Sequence, residues 1–321
     1  MIGGSGFVGS AVVAALAKRN DMRPIACMRR PRYGSLATGV ETRICDASDP
    51  KALASALEGV SHAVNCVLGR PRTMVAATRN LCDVARTSGL RRIVHLSSMA
   101  VYGAATGLVD ENTRPDPVDA YGQGKAECEA VVSNFVASGG DAIMIRPGCV
   151  YGPGGDQWVG RIARWLVAGR LGDLGDLAEG YCNLTFNDDL ANAVIVSLLM
   201  TERVRGEVVN LADSDVGTWN QYFTGLGQAV GAPVRRISRL RMHLEAAVLA
   251  PPLQIAKIVN QRIGRHRSIL PAPITPSLLR LWSQSMRLDC RRADALLRFP
   301  RTPPEQGLAR SAEWFRSTIT P

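Results

Sequence analysis

Tyr121-Gly122-Gln123-Gly124-Lys125 sets a phenol and an ammonium four residues apart, the spacing that places both on one face of a helix. A free phenol, with a pKa of about 10, is a poor base at neutral pH; a neighbouring cation stabilises the phenolate and brings proton exchange with a substrate hydroxyl within reach. Upstream, Arg91-Arg92-Ile93-Val94-His95-Leu96 reads as a strand running into Ser97-Ser98. It would deliver a hydroxyl to the carboxyl edge of a sheet, where open α/β folds bind ligands. Near the start, Gly3-Gly4-Ser5-Gly6-Phe7-Val8-Gly9 opens an apolar helical pattern. Glycines spaced by three permit a tight turn and close approach of backbone N–H groups to a pyrophosphate. A structural turn alone can produce such a loop, so its weight depends on context. The next strand ends in Met28-Arg29-Arg30, where NAD-selective folds carry an acid for the ribose 2′-OH and an arginine can accept a 2′-phosphate instead. This favours NADP(H), with NAD(H) as the alternative. Asp46 is placed either to accept from the adenine amino group or to cap the helix that follows.

Elements that alternate between strand-like and helical patterns must carry these residues. Strands are expected near 24–28, 40–45, 61–67, 91–96, 142–146 and 206–211, and helices near 7–19, 50–58, 73–88, 120–138, 157–169, 188–201 and 218–230. The alternation predicts an α/β fold with a doubly wound parallel sheet. Only Met1 and Ile2 precede Gly3, whereas a central strand is usually about five residues long; the first strand is therefore truncated, and the expectation is that it continues upstream of Met1. Past about residue 232 the sequence turns Arg- and Pro-rich, with short helices expected at 242–250, 253–263, 275–285 and 304–317. The expected division is a dinucleotide-binding core over 1–169, rejoined by 187–212, and a smaller, irregular substrate lobe over 170–186 and 213–321.

Composition narrows the class. The chain is 46% hydrophobic and 21% charged, within the usual range for soluble proteins, and no apolar run approaches the ~18 residues of a membrane span. Pro251-Pro252 interrupts the apolar piece Leu244 to Ile263, which suits peripheral membrane contact rather than crossing. The eight cysteines form no CxxC pair and read as reduced, structural residues without metal; with no signal-like N-terminus, a cytoplasmic protein is expected. The net charge of +10 is concentrated in residues 235–316, which hold 16 Arg/Lys against 5 Asp/Glu. Such a tail suits a polyanion, an anionic membrane face or a phosphate-bearing substrate.

Five segments together closely resemble the extended short-chain dehydrogenase/reductase family, which includes nucleotide-sugar epimerases, dehydratases and 3β-hydroxysteroid dehydrogenase relatives. They are Gly3 to Gly9, Ser97 to Gly103, Tyr121 to Lys125, Arg146 to Pro153 and Asn183 to Leu190. The resemblance implies a Rossmann fold in which Tyr121 is the general acid/base, Lys125 its partner and nicotinamide-ribose ligand, and Ser98 the donor to the reacting oxygen. Gly3, Gly6, Phe7, Val8, Gly9, Arg29 and Asp46 would hold the rest of the cofactor, and Pro147 to Val150 would line the nicotinamide pocket. Substrate would meet Ser98, Met99, Ala100 and Tyr121. Met99-Ala100 stands where sugar dehydratases carry Asp-Glu, which disfavours dehydration, and Met74 occupies the place of a frequent active-site Asn. Two enzymatic readings remain: net oxidation or reduction at a secondary alcohol or ketone, and nucleotide-sugar epimerisation with retained NAD. Retention of the whole triad argues against a nucleic-acid-binding or sensing role, and the relatives' habit of pairing implies a homodimer.

Overall fold

The computed structural model describes residues 1–30, 36, 38–201, 205–213, 217–249, 251–253 and 272–319; most of the helix expected at 253–263 lies outside them. The strands are β1 (Ile25–Met28), β2 (Glu41–Ile44), β3 (His62–Asn65), β4 (Arg92–Leu96), β5 (Gly107–Val109), β6 (Ala142–Pro147), β7 (Cys149–Tyr151), β8 (Leu184–Phe186) and β9 (Val208–Leu211). Between them run α1 (Phe7–Ala17), α2 (Pro50–Ala56), α3 (Pro71–Thr87), α4 (Ala120–Ala137), α5 (Arg161–Val167) and α6 (Asn187–Leu199), followed by α7 (Trp219–Ala229) and α8 (Arg239–Leu244).

β1 and β2 pair in parallel, and β3, β4, β6 and β9 form a parallel set in that order. Two residues join the sets. Ile2 bridges Cys27 on one side and Asn65 on the other, with Ile2 N donating to Val64 O at 2.9 Å and Cys27 N to Met1 O at 2.8 Å. The central strand position is thus held by Met1-Ile2 alone, and every strand of the set leaves the sheet at one edge.

Strand alternation separates two cores. Val94, Leu96, Ile143 and Ile145 face Val12 and Leu16 of α1 and Leu190 and Val194 of α6. Ile93, Ala142 and Met144 face Leu53 of α2, Leu81 of α3 and Val132 and Phe135 of α4. Burying each of these larger aliphatic side chains contributes roughly 2 kcal/mol.

The chain gathers into two compact units: Met1–Tyr151 with Asn183–Ser214 and Leu288–Pro303, and Gly152–Cys182 with Asp215–Arg287 and Pro304–Pro321. These limits differ from the expected ones by a few residues at 183–186 and 213–214, and by longer segments at two places. Residues 152–169 group with the second unit because Trp165 of α5 is part of its aromatic core, meeting Trp282 edge-on at 6.3 Å. Residues 288–303 group with the first because the loop at Thr302 is tied to Asp189, its N and Oγ1 donating to that carboxylate at 2.9 and 2.7 Å. Asp189 therefore does not cap α6, whose N-cap is Phe186. Nor does Asp46 cap α2; Asp49 does, accepting from Lys51 N and Ala52 N.

Candidate active site

β4 is buried along its whole length, and Ser97 N extends its ladder by donating to Ile145 O at 2.8 Å. The backbone then turns. Ser98, extended at φ −166°, N-caps a 3₁₀ turn over Met99–Tyr102 and accepts from Ala100 N at 3.2 Å. α4 starts opposite this turn, its N-cap Asp119 accepting from Gly122 N at 2.7 Å. One helical turn then separates Tyr121, 36% exposed, from Lys125, 5% exposed. The Ser98 hydroxyl lies near enough to the Tyr121 phenol to lower its pKa. Lys125 Nζ donates to Leu96 O at 2.7 Å and lies 5.9 Å from the centroid of the Tyr121 ring.

The three side chains expected to act together are therefore adjacent, with the phenol outward and the cation behind it. The electrostatics differ from the expectation, however. Burial is the largest influence on Tyr121 and pushes its pKa up, while the nearby Ser98 hydroxyl is the main opposing effect. Burial also lowers the pKa of Lys125. In this arrangement desolvation opposes the phenolate more than the nearby serine favours it.

α4 reaches this position because side chains are missing from it. A Cβ at Gly122 would stand 2.4 Å from Ala100 O, and one at Gly124 would stand 2.9 Å from Met74 Cε and from Pro71 Cβ. Met74 is buried in α3.

The glycine loop is equally tight. Gly3 adopts φ +80°, where an L side chain is strained, and a Cβ there would stand 2.8 Å from Cys66 O; one at Gly9 would stand 2.2 Å from Gly3 O. Gly6, by contrast, is exposed and meets only Gly3 O, at 3.4 Å. Half-buried Phe7 and Val8 open α1, whose first turn carries no acidic side chain. The positive end of that helix and its close-packed glycines fit the pyrophosphate of a dinucleotide. Arg29 and Arg30 are exposed after β1. Asp46 is exposed after β2, where Ser48 holds its carboxylate below the usual range and Arg29 adds a smaller effect in the same direction. Pro147 ends β6, and Val150 is half-buried in β7. Because the strands are parallel, Gly3, Arg29, Asp46, Ser98 and Pro147 all leave the sheet at the same edge. Met99 is buried and Ala100 half-buried beside Ser98.

Beneath this edge lies a buried polar chain that sequence reading missed. Ser97 Oγ donates to Glu129 Oε1 at 2.5 Å; Glu129 takes two bonds from Arg146, at 2.8 and 2.7 Å. Arg146 also donates to the Tyr102 hydroxyl, which donates to Asn210 Oδ1, both at 2.7 Å. The signal was present: Glu129 falls four residues after Lys125, on the same helix face, and Arg146 is a charge inside an apolar strand. On the other face, Asn65 Nδ2 bonds Thr78 Oγ1 at 3.0 Å and His95 Nδ1 at 3.1 Å, while its Oδ1 accepts from Val67 N at 3.3 Å. Burial pushes the His95 pKa down to about 3. It is a buried core histidine whose Nε2 has no partner among the described residues. Trp158 and Trp165 belong to the second unit, Trp165 buried and Trp158 half-buried against Trp219 at 5.3 Å.

A twisted parallel sheet with a glycine loop at its centre and a Ser-Tyr-Lys cluster at its carboxyl edge defines a dinucleotide-dependent α/β enzyme. Residues 1–212 match the model of the NAD dependent epimerase/dehydratase family, and the chain belongs to that family, whose members include oxidoreductases and nucleotide-sugar epimerases. It is similar to the 2-alkyl-3-oxoalkanoate reductase of Stenotrophomonas maltophilia, 28% identical over 72% of this chain and 75% of the relative. Similarity to sterol demethylase protein B of Methylococcus capsulatus extends over 98% of this chain and 97% of the relative, at 25% identity. In fold it resembles the UDP-glucuronic acid 4-epimerase of Bacillus cereus in complex with UDP-glucuronic acid and NAD, with a TM-score of 0.75, 17% identity, and 99% and 98% of the two chains covered. Among the described residues no helix is long and apolar enough to cross a membrane.

Proposed function

We propose that the chain is an NAD(P)-dependent oxidoreductase acting at a secondary alcohol or ketone, with Tyr121 as general acid/base. The carrying observation is the Tyr121 phenol beside Ser98 at the sheet edge, with Lys125 buried behind it and 5.9 Å from its ring centroid. Gly3, Gly6, Phe7, Val8 and Gly9 would hold the pyrophosphate, Asp46 the adenine, Lys125 the nicotinamide ribose, and Pro147 and Val150 the nicotinamide ring. Arg29 would meet a 2′-phosphate, which selects NADP(H) over NAD(H). When bound, the nicotinamide supplies or accepts the hydride.

The chain's own residues manage the proton. Ser98 orients the substrate oxygen, and the Tyr121 phenol donates its proton to that oxygen in the reductive direction. Met99 and Ala100 offer no second acid/base pair, so elimination of water has no support at this site. Similarity to a reductase at 28% identity supports the same direction. Substrate choice is assigned to the second unit, where the sequence has its least regular pattern.

Incubating the purified chain with NADPH and a panel of ketones, 3-oxo acids and oxosteroids, and following the reduced-nicotinamide absorbance, tests this reading. Net consumption with at least one ketone is expected, with NADPH preferred to NADH. Inversion of a UDP-sugar without net absorbance change, by a protein that copurifies with NAD, would replace it with the epimerase reading.

A further inference from the structure

In the second unit, α8 continues into a π-helical turn over Glu245–Leu249. Its inner face is fully engaged: Met242 and Ala246 are buried, and the buried Glu245 is ion-paired with Arg170. The outer face is unlike that of a solvated helix. Leu240 is 71% exposed, Leu244 52% and Val248 58%, and their spacing by four aligns them along one side. Single exposed leucines are ordinary on any surface, but three in register make an aliphatic stripe that stands exposed among the described residues.

The surrounding charge indicates what would cover it. Arg235, Arg239, Arg241 and His243 are exposed. Arg236 is paired with Asp173, and Arg239 lies 3.7 Å from Asp176; Arg241 donates to the carbonyl of Gly169, which leaves its charge uncompensated by that bond. From Arg235 to Pro271 the sequence holds eight arginines and lysines against a single acid, and that acid is the buried Glu245. A second copy laid on this face would oppose arginine to arginine. An anionic lipid surface would meet both the stripe and the charge.

We propose that α8 and the turn after it dock on an anionic membrane surface. Leu240, Leu244 and Val248 enter the boundary between headgroups and acyl chains, and Arg239, Arg241 and His243 face the headgroups. The proposal is independent of the reaction assigned above.

Flotation of the full chain with phosphatidylcholine vesicles, with and without phosphatidylglycerol, tests it. Binding is expected to the anionic vesicles only and to weaken as salt is raised. A Leu240→Gln/Leu244→Gln/Val248→Gln variant with unchanged circular dichroism should lose at least about tenfold in partitioning. If that variant misfolds, Arg239→Glu/Arg241→Glu provides the same reading through charge. Absence of binding, or binding that both variants retain, would overturn the proposal. A native dimer that the stripe variant converts to monomer would reassign the face to a second copy of the chain.

Discussion

Buried polar groups are treated differently in the two units. In the first, Ser97, Glu129, Arg146, Tyr102 and Asn210 form a continuous chain under the sheet edge, each donor meeting an acceptor. The second is built on packed rings: Phe223 meets Trp282 at 5.1 Å and 78°, and the indole nitrogens of Trp219 and Trp282 have no hydrogen-bond partner among the described residues. A polar chain with every bond made holds atoms in one geometry, whereas an aromatic core tolerates repacking. Under the proposed function, the reaction at Ser98 and Tyr121 would need the former, and a region that selects among substrates could be built from the latter.

Removing the reacting proton should have the largest effect. Tyr121→Phe is expected to lower kcat by about 10²–10⁴-fold while cofactor affinity, followed by quenching of NADPH fluorescence, stays within a few-fold; equal losses in both would make Tyr121 structural. Next, Glu129→Gln leaves Arg146 without its buried counter-charge and should cost roughly 3–5 kcal/mol, read as a lowered thermal midpoint with and without cofactor. A loss as small as that of a surface substitution would mean that the polar chain is not what holds the edge.

Asp213 sharpens the contrast by pH. It accepts from Phe186 N at 3.1 Å and from the Tyr151 hydroxyl, and burial pushes its pKa up to about 7. A folded pKa above the unfolded one means that the native state holds the proton more tightly, so stability falls as pH rises from about 4 to about 7, by up to ~1.4 kcal/mol per pH unit. Asp213→Asn should flatten that slope and raise the thermal midpoint at pH above 7; an unchanged slope would show a carboxylate already ionised. The smallest effect is expected in the aromatic core. Trp282→Phe removes an N–H that has no partner among the described residues, whereas Trp165→Phe also loses a 2.8 Å bond to Ala272 O. Urea unfolding should therefore find Trp165→Phe the costlier by about 1 kcal/mol.

The set β3, β4, β6 and β9 was legible because each strand is a four- to six-residue, mostly apolar run between turn signals. The three-residue β5, β7 and β8 were not; no periodicity is measurable over three residues. Ser98, Tyr121 and Lys125 were legible as an ensemble, since a strand end and a helical i, i+4 pair had to meet at one edge. Which effect controls the phenol was not, because desolvation depends on packing that spacing does not reveal. Asp189 was illegible for a related reason: aspartate is a strong cap former, yet this one is committed to Thr302, 113 residues later, a partner that local sequence cannot indicate. Residues 288–303 escaped in the same way, their return being marked only by long-range bonds such as Asn210 Nδ2 to Asp289 O.

Gly122 and Gly124 carry no functional group, yet they set how near the phenol and the ammonium come to the serine. Their contribution is atoms left out, and a neighbouring backbone or ring occupies the space. A saturation library across 121–125 should therefore return an inverted tolerance map, in which Gln123 accepts almost any replacement and the two plainest residues accept almost none. A drifting lineage can exchange the apolar face of α4 piece by piece, but at these two positions it has no intermediate to pass through.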